Sequence, residues 1–217
     1  MQLWRGADMN AQCIMVCSGK GGTGKSTVSV LLGACLARLG RKVLLIELDS
    51  GLRSVDIIAG VYGRTVYDIE DVLCGRCEGA KAVVPSPLYP GLSVISAPYE
   101  GGAVEAAPLG RLLVAMRPYF DYVILDTAPV GMVTDTLLIG RVADLSVYVC
   151  RADYTHKAEY TLINELAIEK KLSKLCTVIN GVDLKKRKYG YYYGYGKYGK
   201  YYGYGKRYGY GYGYGEK

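Results

Sequence analysis

The sequence predicts a doubly wound α/β domain built on a mainly parallel β-sheet. Short apolar runs alternate along the chain with segments of helical spacing, which is the order expected when helices cover such a sheet. A glycine-rich loop separates the first apolar run from the first helical segment, and acidic residues follow two of the later runs. Half of the 217 residues are apolar, which is enough for one sizeable core.

Six apolar runs predict six strands. Each run is five or six residues long and largely apolar, as expected of a strand that is buried on both faces. The predicted strands are Cys13–Cys17, Val43–Glu47, Leu92–Ser96, Tyr122–Asp126, Leu145–Cys150 and Leu175–Asn180.

Helices are predicted between these strands. The first, Lys25–Leu39, has helical spacing and is followed by Gly40, a residue type that commonly ends a helix. The others are Val66–Leu73, Pro108–Met116, Asp135–Arg141 and Lys157–Lys171. Together with the strands they predict one domain over residues 1–184.

The last part of the chain has a different composition. Residues 185–217 carry nine Lys or Arg and one acid, Glu216, whereas the first 184 residues carry 18 basic and 19 acidic groups. The segment YGYYYGYGKYGKYYGYGKRYGYGYGYG holds 13 of the 22 tyrosines and has no apolar period. It therefore predicts a basic, Tyr/Gly-rich, disordered tail that acts as an interaction segment.

Targeting signals and cysteines indicate the compartment. The first residues lack the apolar run of a secretory signal, and no apolar stretch approaches the roughly 18 residues that cross a bilayer. Seven scattered cysteines without a framework spacing favour a reducing environment. We therefore expect a cytoplasmic protein without a transmembrane segment.

The glycine-rich loop predicts a phosphate site. SGKGGTGKST satisfies G-x-x-x-x-G-K-[ST] between a strand and a helix, where backbone N–H groups and the helix N-terminus bind phosphate oxygens. Lys25 is expected to neutralise the β- and γ-phosphates, and the Ser26 hydroxyl to bind Mg²⁺. The candidate nucleotide ligands are Gly19, Lys20, Gly21, Gly22, Thr23, Gly24, Lys25, Ser26 and Thr27.

Two carboxylates, those of Asp126 and Asp49, are expected to complete this site. Asp126 follows four apolar residues in YVILD, the Walker B position, where it would hold Mg²⁺ directly or through water. Glu47 and Asp49 lie at and just beyond the end of another strand, where open α/β sheets bind ligands. Asp49 is a candidate for orienting water or a substrate hydroxyl, and a further candidate metal ligand.

The first half of the chain resembles the MinD/ParA family of P-loop ATPases. The residues that carry the resemblance are the deviant Walker A motif SGKGGTGKST and the segment ELDSGLRSVD, in which Glu47 stands where the family has Asp. The resemblance implies a P-loop NTPase fold, ATP with Mg²⁺, and a dimer in which Lys20 reaches the phosphates of the second subunit. It also implies a contact between Asn180 and adenine.

The second half resembles the bacterial tyrosine kinases of capsule and exopolysaccharide assembly. FDYVILDTAPVGMVTDTLLIGRVADLSVYVCRADYTHK and the tyrosine tail carry this resemblance. It implies transfer of the γ-phosphate to tail tyrosines in a dimer or ring, with a membrane-bound activator that recruits the protein to the inner face of the membrane. The candidate acceptors are Tyr191, Tyr192, Tyr193, Tyr195, Tyr198, Tyr201, Tyr202, Tyr204, Tyr208, Tyr210, Tyr212 and Tyr214.

Three functions remain open at this point. An autophosphorylating tyrosine kinase is favoured, with Lys25, Lys20, Asp49 and Asp126 as catalytic residues. A dimerising ATPase that positions cell components is the first alternative. Binding of nucleic acid or another anionic polymer by the tail is the least favoured, although cations interleaved with aromatic rings suit phosphates and bases.

Overall fold

The computed structural model describes residues 11–100, 106–130 and 135–183. Within these ranges the backbone forms one seven-stranded sheet. Its strands are β1 (Gln12–Cys17), β2 (Val43–Glu47), β3 (Val84–Pro85), β4 (Leu92–Ile95), β5 (Tyr122–Asp126), β6 (Leu145–Arg151) and β7 (Leu175–Asn180).

The strand order confirms the predicted doubly wound fold. The order across the sheet is β3-β4-β2-β5-β1-β6-β7, and every neighbouring pair is parallel except β3 with β4. The six predicted strands are all present. The added strand, β3, is two residues long and ends in Pro85, so it carries no apolar run that a sequence pattern could show.

The helices lie between the strands in the predicted order, with two additions. Four are shorter than predicted, whereas the helix predicted over Pro108–Met116 begins two residues earlier, at Ala106. In the described residues they are α1 (Lys25–Arg38), α2 (Ser54–Ala59), α3 (Ile69–Leu73), α4 (Gly79–Ala82), α5 (Ala106–Met116), α6 (Asp135–Ile139) and α7 (Glu159–Ile168). The sequence did not predict α2 and α4, because six and four residues are too short to show a helical period.

Helix α3 begins later than predicted because a capping box fixes its start. The Asp68 carboxylate accepts the Asp71 N–H, and the Asp71 carboxylate accepts the Asp68 N–H, each at 3.1 Å. Val66, predicted to be helical, therefore lies outside the helix. Helix α7 is also shorter than predicted at both ends, because Lys157 and Ala158 form a turn before it and Lys170, with a φ of 51°, cannot continue it.

Apolar side chains fill both faces of the sheet. Along β1, Cys13, Met15 and Cys17 pack on one face, and Ile14 and Val16 pack on the other. Helices α1 and α2 cover the second face, and α3 to α7 contribute to the first. The central strands are therefore buried on both sides, which is why they read as continuous apolar runs. The edge strand β7 was expected to be buried as well, but in the described sheet it has a neighbour on one side only and none of its residues is fully buried.

Residues Met1–Gly181 cluster as one compact unit and Val182–Lys217 as a second. Only Val182 and Asp183 of the second unit are described, so the boundary at residue 184 and the predicted disorder of the tail remain predictions. None of the described helices is long and apolar enough to cross a bilayer.

Candidate nucleotide site

The parallel sheet brings the predicted site residues together. Strands β2, β5 and β1 are neighbours, so the segments that follow their carboxyl ends meet at one edge. The loop after β1 leads directly into α1 at Lys25. Gly22 and Gly24 in this loop have backbone φ values of 76° and 93°. Residues with a side chain rarely adopt such values, so the loop requires glycine at both positions.

Lys25 lies at the base of a cavity of about 340 Å³ beside this loop. Its side chain is 7% exposed, and its Nζ lies 3.6 Å from an Asp49 carboxylate oxygen. The cavity is lined by Gly21, Gly22, Gly24, Lys25, Ser26, Thr27, Glu47, Asp49, Leu52, Ser54 and Ile58. The structure thus brings Lys25 and Asp49, which are distant in sequence, into one cavity.

Asp126 is fully buried and receives two hydroxyl hydrogen bonds from α1. Ser26 Oγ donates to its Oδ2 at 2.7 Å, and Ser29 Oγ donates to its Oδ1 at 2.9 Å. Burial raises the pKa of Asp126 to about 6, although both serines and Lys25 act to lower the pKa. Ser29 was not predicted; its position one turn after Ser26 was the available signal.

These residues fit a magnesium ion. Mg²⁺ prefers oxygen ligands, and a Ser hydroxyl, two carboxylates and a phosphate-binding loop meet here. Ser26 Oγ donates to Asp126 at 2.7 Å, and its lone pairs stay available to an ion. Ser26 would hold the ion directly, with Asp126 and Asp49 as further ligands or acceptors. The ion would neutralise charge that develops on the phosphates.

Glu47 is buried at the carboxyl end of β2, in register with Asp126 on β5. Its Oε1 accepts the Val55 N–H at 3.2 Å, whereas its Oε2 is buried without a hydrogen-bond partner. Burial is the largest cause that raises its pKa to about 8. The longer side chain therefore links the end of β2 to the start of α2.

A buried polar network fixes the segment between β2 and α2. Arg53 donates to the Asp56 carboxylate from Nε at 2.7 Å and pairs with it through Nη2 at 2.6 Å. The Ser96 hydroxyl also donates to Asp56, and the Tyr99 ring lies 4.3 Å from the Arg53 guanidinium carbon. Sequence reasoning missed this network, because only the fold brings Ser96 and Tyr99 to the segment that carries Asp49.

Lys20 lies at the rim of the loop and contacts its own chain. Its Nζ pairs with Glu159 at 2.9 Å, donates to the Tyr154 carbonyl at 3.1 Å, and lies 4.4 Å from the Tyr154 ring centroid. Burial raises the pKa of Glu159, but hydrogen bonds from Lys20 and the His156 N–H outweigh it and leave the pKa lowered. No motif in the sequence indicated these contacts.

Asn180 lies beside the loop, at the end of β7. Its Nδ2 donates to the Thr23 carbonyl at 3.0 Å, and its Oδ1 accepts the Gly181 N–H at 2.8 Å. A Cβ at Gly24 would overlap the Asn180 amide nitrogen. Asn180 therefore supports the loop, and its contact with a base remains a prediction.

Other candidate positions lie outside this site. The twelve candidate acceptor tyrosines lie outside the described residues. A larger cleft, of about 730 Å³, lies near the amino ends of β6 and β7 and is lined by residues such as Asp144, Lys170 and Lys174. It contains none of the predicted ligands, so its size alone does not make it the nucleotide site.

Comparisons with known proteins identify the family of this domain. The model of the CobQ/CobB/MinD/ParA nucleotide binding domain matches residues 14–187. The septum site-determining protein MinD of Synechocystis sp. is 42% identical over 121 residues, which are 55% of this chain and 45% of that protein. The match thus spans about half the length of this curated relative.

Solved structures give a longer match. The MinC:MinD cell division protein complex of Aquifex aeolicus superposes with a TM-score of 0.70 and 30% identity, over 80% of this chain and 70% of that chain. The BceF tyrosine kinase domain superposes with a TM-score of 0.64 and 26% identity, over 79% of this chain and 69% of that chain.

The family model covers most of the chain, including the glycine-rich loop and the strands that position Asp49 and Asp126. The chain belongs to the CobQ/CobB/MinD/ParA family of nucleotide-binding domains.

Proposed function

We propose that this chain is a magnesium-dependent ATPase of the MinD type whose ATP-bound form pairs with a second copy. The observation that carries the proposal is the placement of two lysines on one phosphate loop. Lys25 is buried beside Asp49, whereas Lys20 lies at the rim with 31% of its side chain exposed. One lysine therefore serves the chain's own nucleotide, and the other is within reach of a neighbour.

Each residue of the cavity has a separate role in ATP hydrolysis. Lys25 and the loop N–H groups bind the β- and γ-phosphates, and Ser26 with Asp126 would hold the metal. Asp49 orients a water molecule, whose oxygen bonds to the γ-phosphorus as the bond to the β–γ bridging oxygen breaks. The proton of the water passes to Asp49 or to solvent, and ADP and phosphate are the products.

Relatives support the ATPase proposal. The sequence match is to septum site-determining proteins called MinD, and the structure of a MinC:MinD complex superposes on most of this chain. The match spans about half the length of the curated relatives. We therefore include spatial positioning of cell components and association with a second protein as parts of the proposal.

ATP hydrolysis tests the proposal directly. With Mg-ATP we expect phosphate release that Lys25→Ala abolishes and that Asp49→Asn reduces by about 10²-fold or more. Arg76→Ala, an exposed change at the end of α3, is the matched control and should keep the wild-type rate. Wild-type rates in Asp49→Asn would show that Asp49 has no role in the reaction.

Pairing is measured separately by light scattering during size-exclusion chromatography. The mass of the wild type should double when ATP is added with Mg²⁺, and Lys20→Ala should remain a monomer. A mass that does not change with nucleotide, or doubles equally in Lys20→Ala, would refute the pairing proposal.

A tyrosine kinase is the second candidate function. It is favoured by the 13 tyrosines in residues 189–215, and the BceF tyrosine kinase domain supports it as a structural relative. Phosphoryl transfer to a phenol would use the same Lys25, Ser26 and Asp126, with Asp49 accepting the phenol proton. The tail would then be the substrate, and each phosphate would add about −1.5 to −2 charges.

Phosphotyrosine detection separates the two candidates. Purified protein is incubated with Mg-ATP and analysed by mass spectrometry, with Lys25→Ala and a chain ended at Asp183 as controls. Phosphate on the tail that is lost in Lys25→Ala supports the kinase. Hydrolysis without phosphotyrosine supports the ATPase alone.

A further inference from the structure

The turn between β6 and α7 contacts the outer half of the phosphate loop at several points. Besides the Lys20 contacts described above, Tyr154 Oη donates to the Gly21 carbonyl at 3.1 Å. Arg151 Nη1 donates to the Gly22 carbonyl at 3.0 Å. We call the three side chains that make these contacts the Tyr154 latch: Arg151, Tyr154 and Glu159.

The Tyr154 latch occupies the Lys20 ammonium group. An ammonium has three N–H donors, and two of them are used by Glu159 Oε1 and the Tyr154 carbonyl. The Tyr154 ring lies under the charge as a cation–π partner. While these contacts last, only one N–H donor of Lys20 is left for the phosphates of a second molecule, and the Glu159 carboxylate neutralises its charge.

Tyr154 itself is fitted to the loop. A Cβ at Gly22 would lie 3.1 Å from the Tyr154 hydroxyl oxygen, so the absence of a side chain at Gly22 lets the phenol approach. These bonds use the Gly21 and Gly22 carbonyls and none of the loop N–H groups, so the donors that bind phosphate do not depend on Tyr154. The residue is nevertheless 42% exposed, so its contacts can open without disturbing the core.

Glu159 has a second interaction available when Lys20 leaves. Its Oε2 and the hydroxyl of the fully buried Tyr148 are both buried without a hydrogen-bond partner. Both lie next to Gly19, where a Cβ would be 3.1 Å from Glu159 Oε2 and 2.5 Å from the Tyr148 hydroxyl. A small shift of Glu159 would let Tyr148 donate to the carboxylate, which offsets the loss of Lys20.

We propose that Tyr154 is a positioning residue that holds Lys20 on its own chain, so that pairing with a second copy requires the Tyr154 latch to open. The inference rests on the proposed function, in which Lys20 binds the phosphates of a second molecule. Opening is favoured only when those phosphates bind Lys20 better than Tyr154 and Glu159 do, which makes pairing depend on nucleotide in the neighbour.

The first test needs no nucleotide and measures access to Lys20. Full-length protein is treated briefly with acetic anhydride, and acetylation of each lysine is followed by mass spectrometry. We expect Lys20 to react roughly fivefold more slowly than the exposed Lys81. Tyr154→Leu and Glu159→Gln should remove this protection, whereas Tyr119→Leu, a matched change at another exposed tyrosine, should not. Equal Lys20 rates in wild type and Tyr154→Leu would overturn the proposal.

The second test measures pairing as a function of protein concentration, with Mg-ATP in excess. Tyr154→Leu should pair at roughly fivefold lower protein concentration than wild type, while Tyr154→Phe, which keeps the ring, should lie between them. ATP affinity of the isolated chain, measured with a fluorescent analogue at low protein concentration, should not change. A merely structural defect would weaken both pairing and ATP binding, and that result would overturn the proposal.

The two tests separate failure of this inference from failure of the proposed function. If Lys20→Ala prevents pairing but Tyr154→Leu pairs no more readily than wild type, Lys20 acts in the second molecule and the Tyr154 latch does not control it. If Lys20→Ala has no effect on pairing, the proposed function and the inference are both wrong, whatever the acetylation rates are.

Discussion

At the residue scale, Glu47 shows how one added methylene changes a site. An Asp at this position would be shorter, whereas Glu47 reaches the Val55 N–H and joins the end of β2 to the start of α2. The carboxyl group is 1% exposed and keeps one oxygen without a partner. Such a group is stable in its neutral form and costly when ionised, because charge in a buried site loses its hydration.

Glu47 therefore predicts a pH dependence of the free energy of unfolding. Its pKa rises from the ordinary glutamate value of 4.5 to about 8 in the folded protein, so the folded state holds a proton that the unfolded state releases. The contribution of Glu47 to the free energy of unfolding is fully present below pH 4.5, and it falls by about 1.4 kcal/mol for each pH unit between these two values. Urea titrations from pH 5 to pH 8, with ~1 pH unit spacing, measure this slope.

Glu47→Gln is the matched control for that slope. The amide cannot ionise, so the variant should lose less stability than wild type as the pH rises, and the difference between the two should grow towards pH 8. A constant difference across the pH range would show that Glu47 titrates normally in the folded protein.

The buried ion pair between Arg53 and Asp56 predicts a large loss when one partner is removed. Asp56→Ala leaves the guanidinium buried beside Ser96 and Tyr99 without its counter-charge, which costs about 3–5 kcal/mol. Chemical denaturation of the nucleotide-free protein measures the loss. Arg76→Ala, which breaks exposed ion pairs with Glu70 and Asp71, should change the midpoint far less. Similar effects of the two variants would contradict the interpretation.

At the element scale, the first helix is fixed by close contact with the sheet. Gly33 in α1 faces the sheet, where a Cβ would lie 2.9 Å from Leu92 Cδ1 and 3.4 Å from Ile124 Cδ1. Helix α1 also supplies Ser26 and Ser29 to Asp126, so its distance from β5 sets the geometry of the metal site. A glycine that lowers helix propensity is here a condition for close packing.

Two glycine-to-alanine changes compare these effects. In α5 a Cβ at Gly110 would meet only Val142 Cγ1, at 3.9 Å, so Gly110→Ala should stabilise the protein by about 0.5–1 kcal/mol. Gly33→Ala gains the same propensity but must displace Leu92, and it should be less stable than Gly110→Ala by about 1–3 kcal/mol. Thermal unfolding of both variants measures the difference. Equal stabilisation would mean that α1 shifts freely on the sheet.

At the scale of the whole molecule, the candidate site belongs to the sheet edge and not to any single element. Lys25, Asp49 and Asp126 follow three different strands, and the strand order makes those strands neighbours. The described core lies within residues 11–181, and the residues after 184 lack apolar periodicity. Folding and nucleotide binding should therefore be independent of the tail.

A chain ended at Asp183 tests this independence. We expect it to unfold within about 2 °C of the full-length protein, because the sequence after residue 184 has no apolar period that would add to a core. A Mg-ATP concentration of about 100 times the dissociation constant should stabilise both chains by about 2.7 kcal/mol. The measurement is differential scanning calorimetry with and without nucleotide. A truncated chain that unfolds at a much lower temperature would show that residues 184–217 are part of the domain.

The sequence by itself determined the fold class, six of the strands and the phosphate loop. These features are local, because a buried strand must be a continuous apolar run and a phosphate loop must place glycines at fixed positions. The order in which strands and helices alternate then leaves few topologies, which is why the parallel arrangement and the meeting of Asp49 with Asp126 could be expected.

The tertiary structure alone decided which side chains control that site. Ser96 reaches Asp56 across 40 residues, and Lys20 reaches the Tyr154 carbonyl across 134. The sequence pattern also did not predict short elements such as α2, since six residues carry too little periodicity to be distinguished from a loop. Hydrogen bonds and ion pairs depend on distances in space, and sequence separation carries no information about such distances until the sheet has formed.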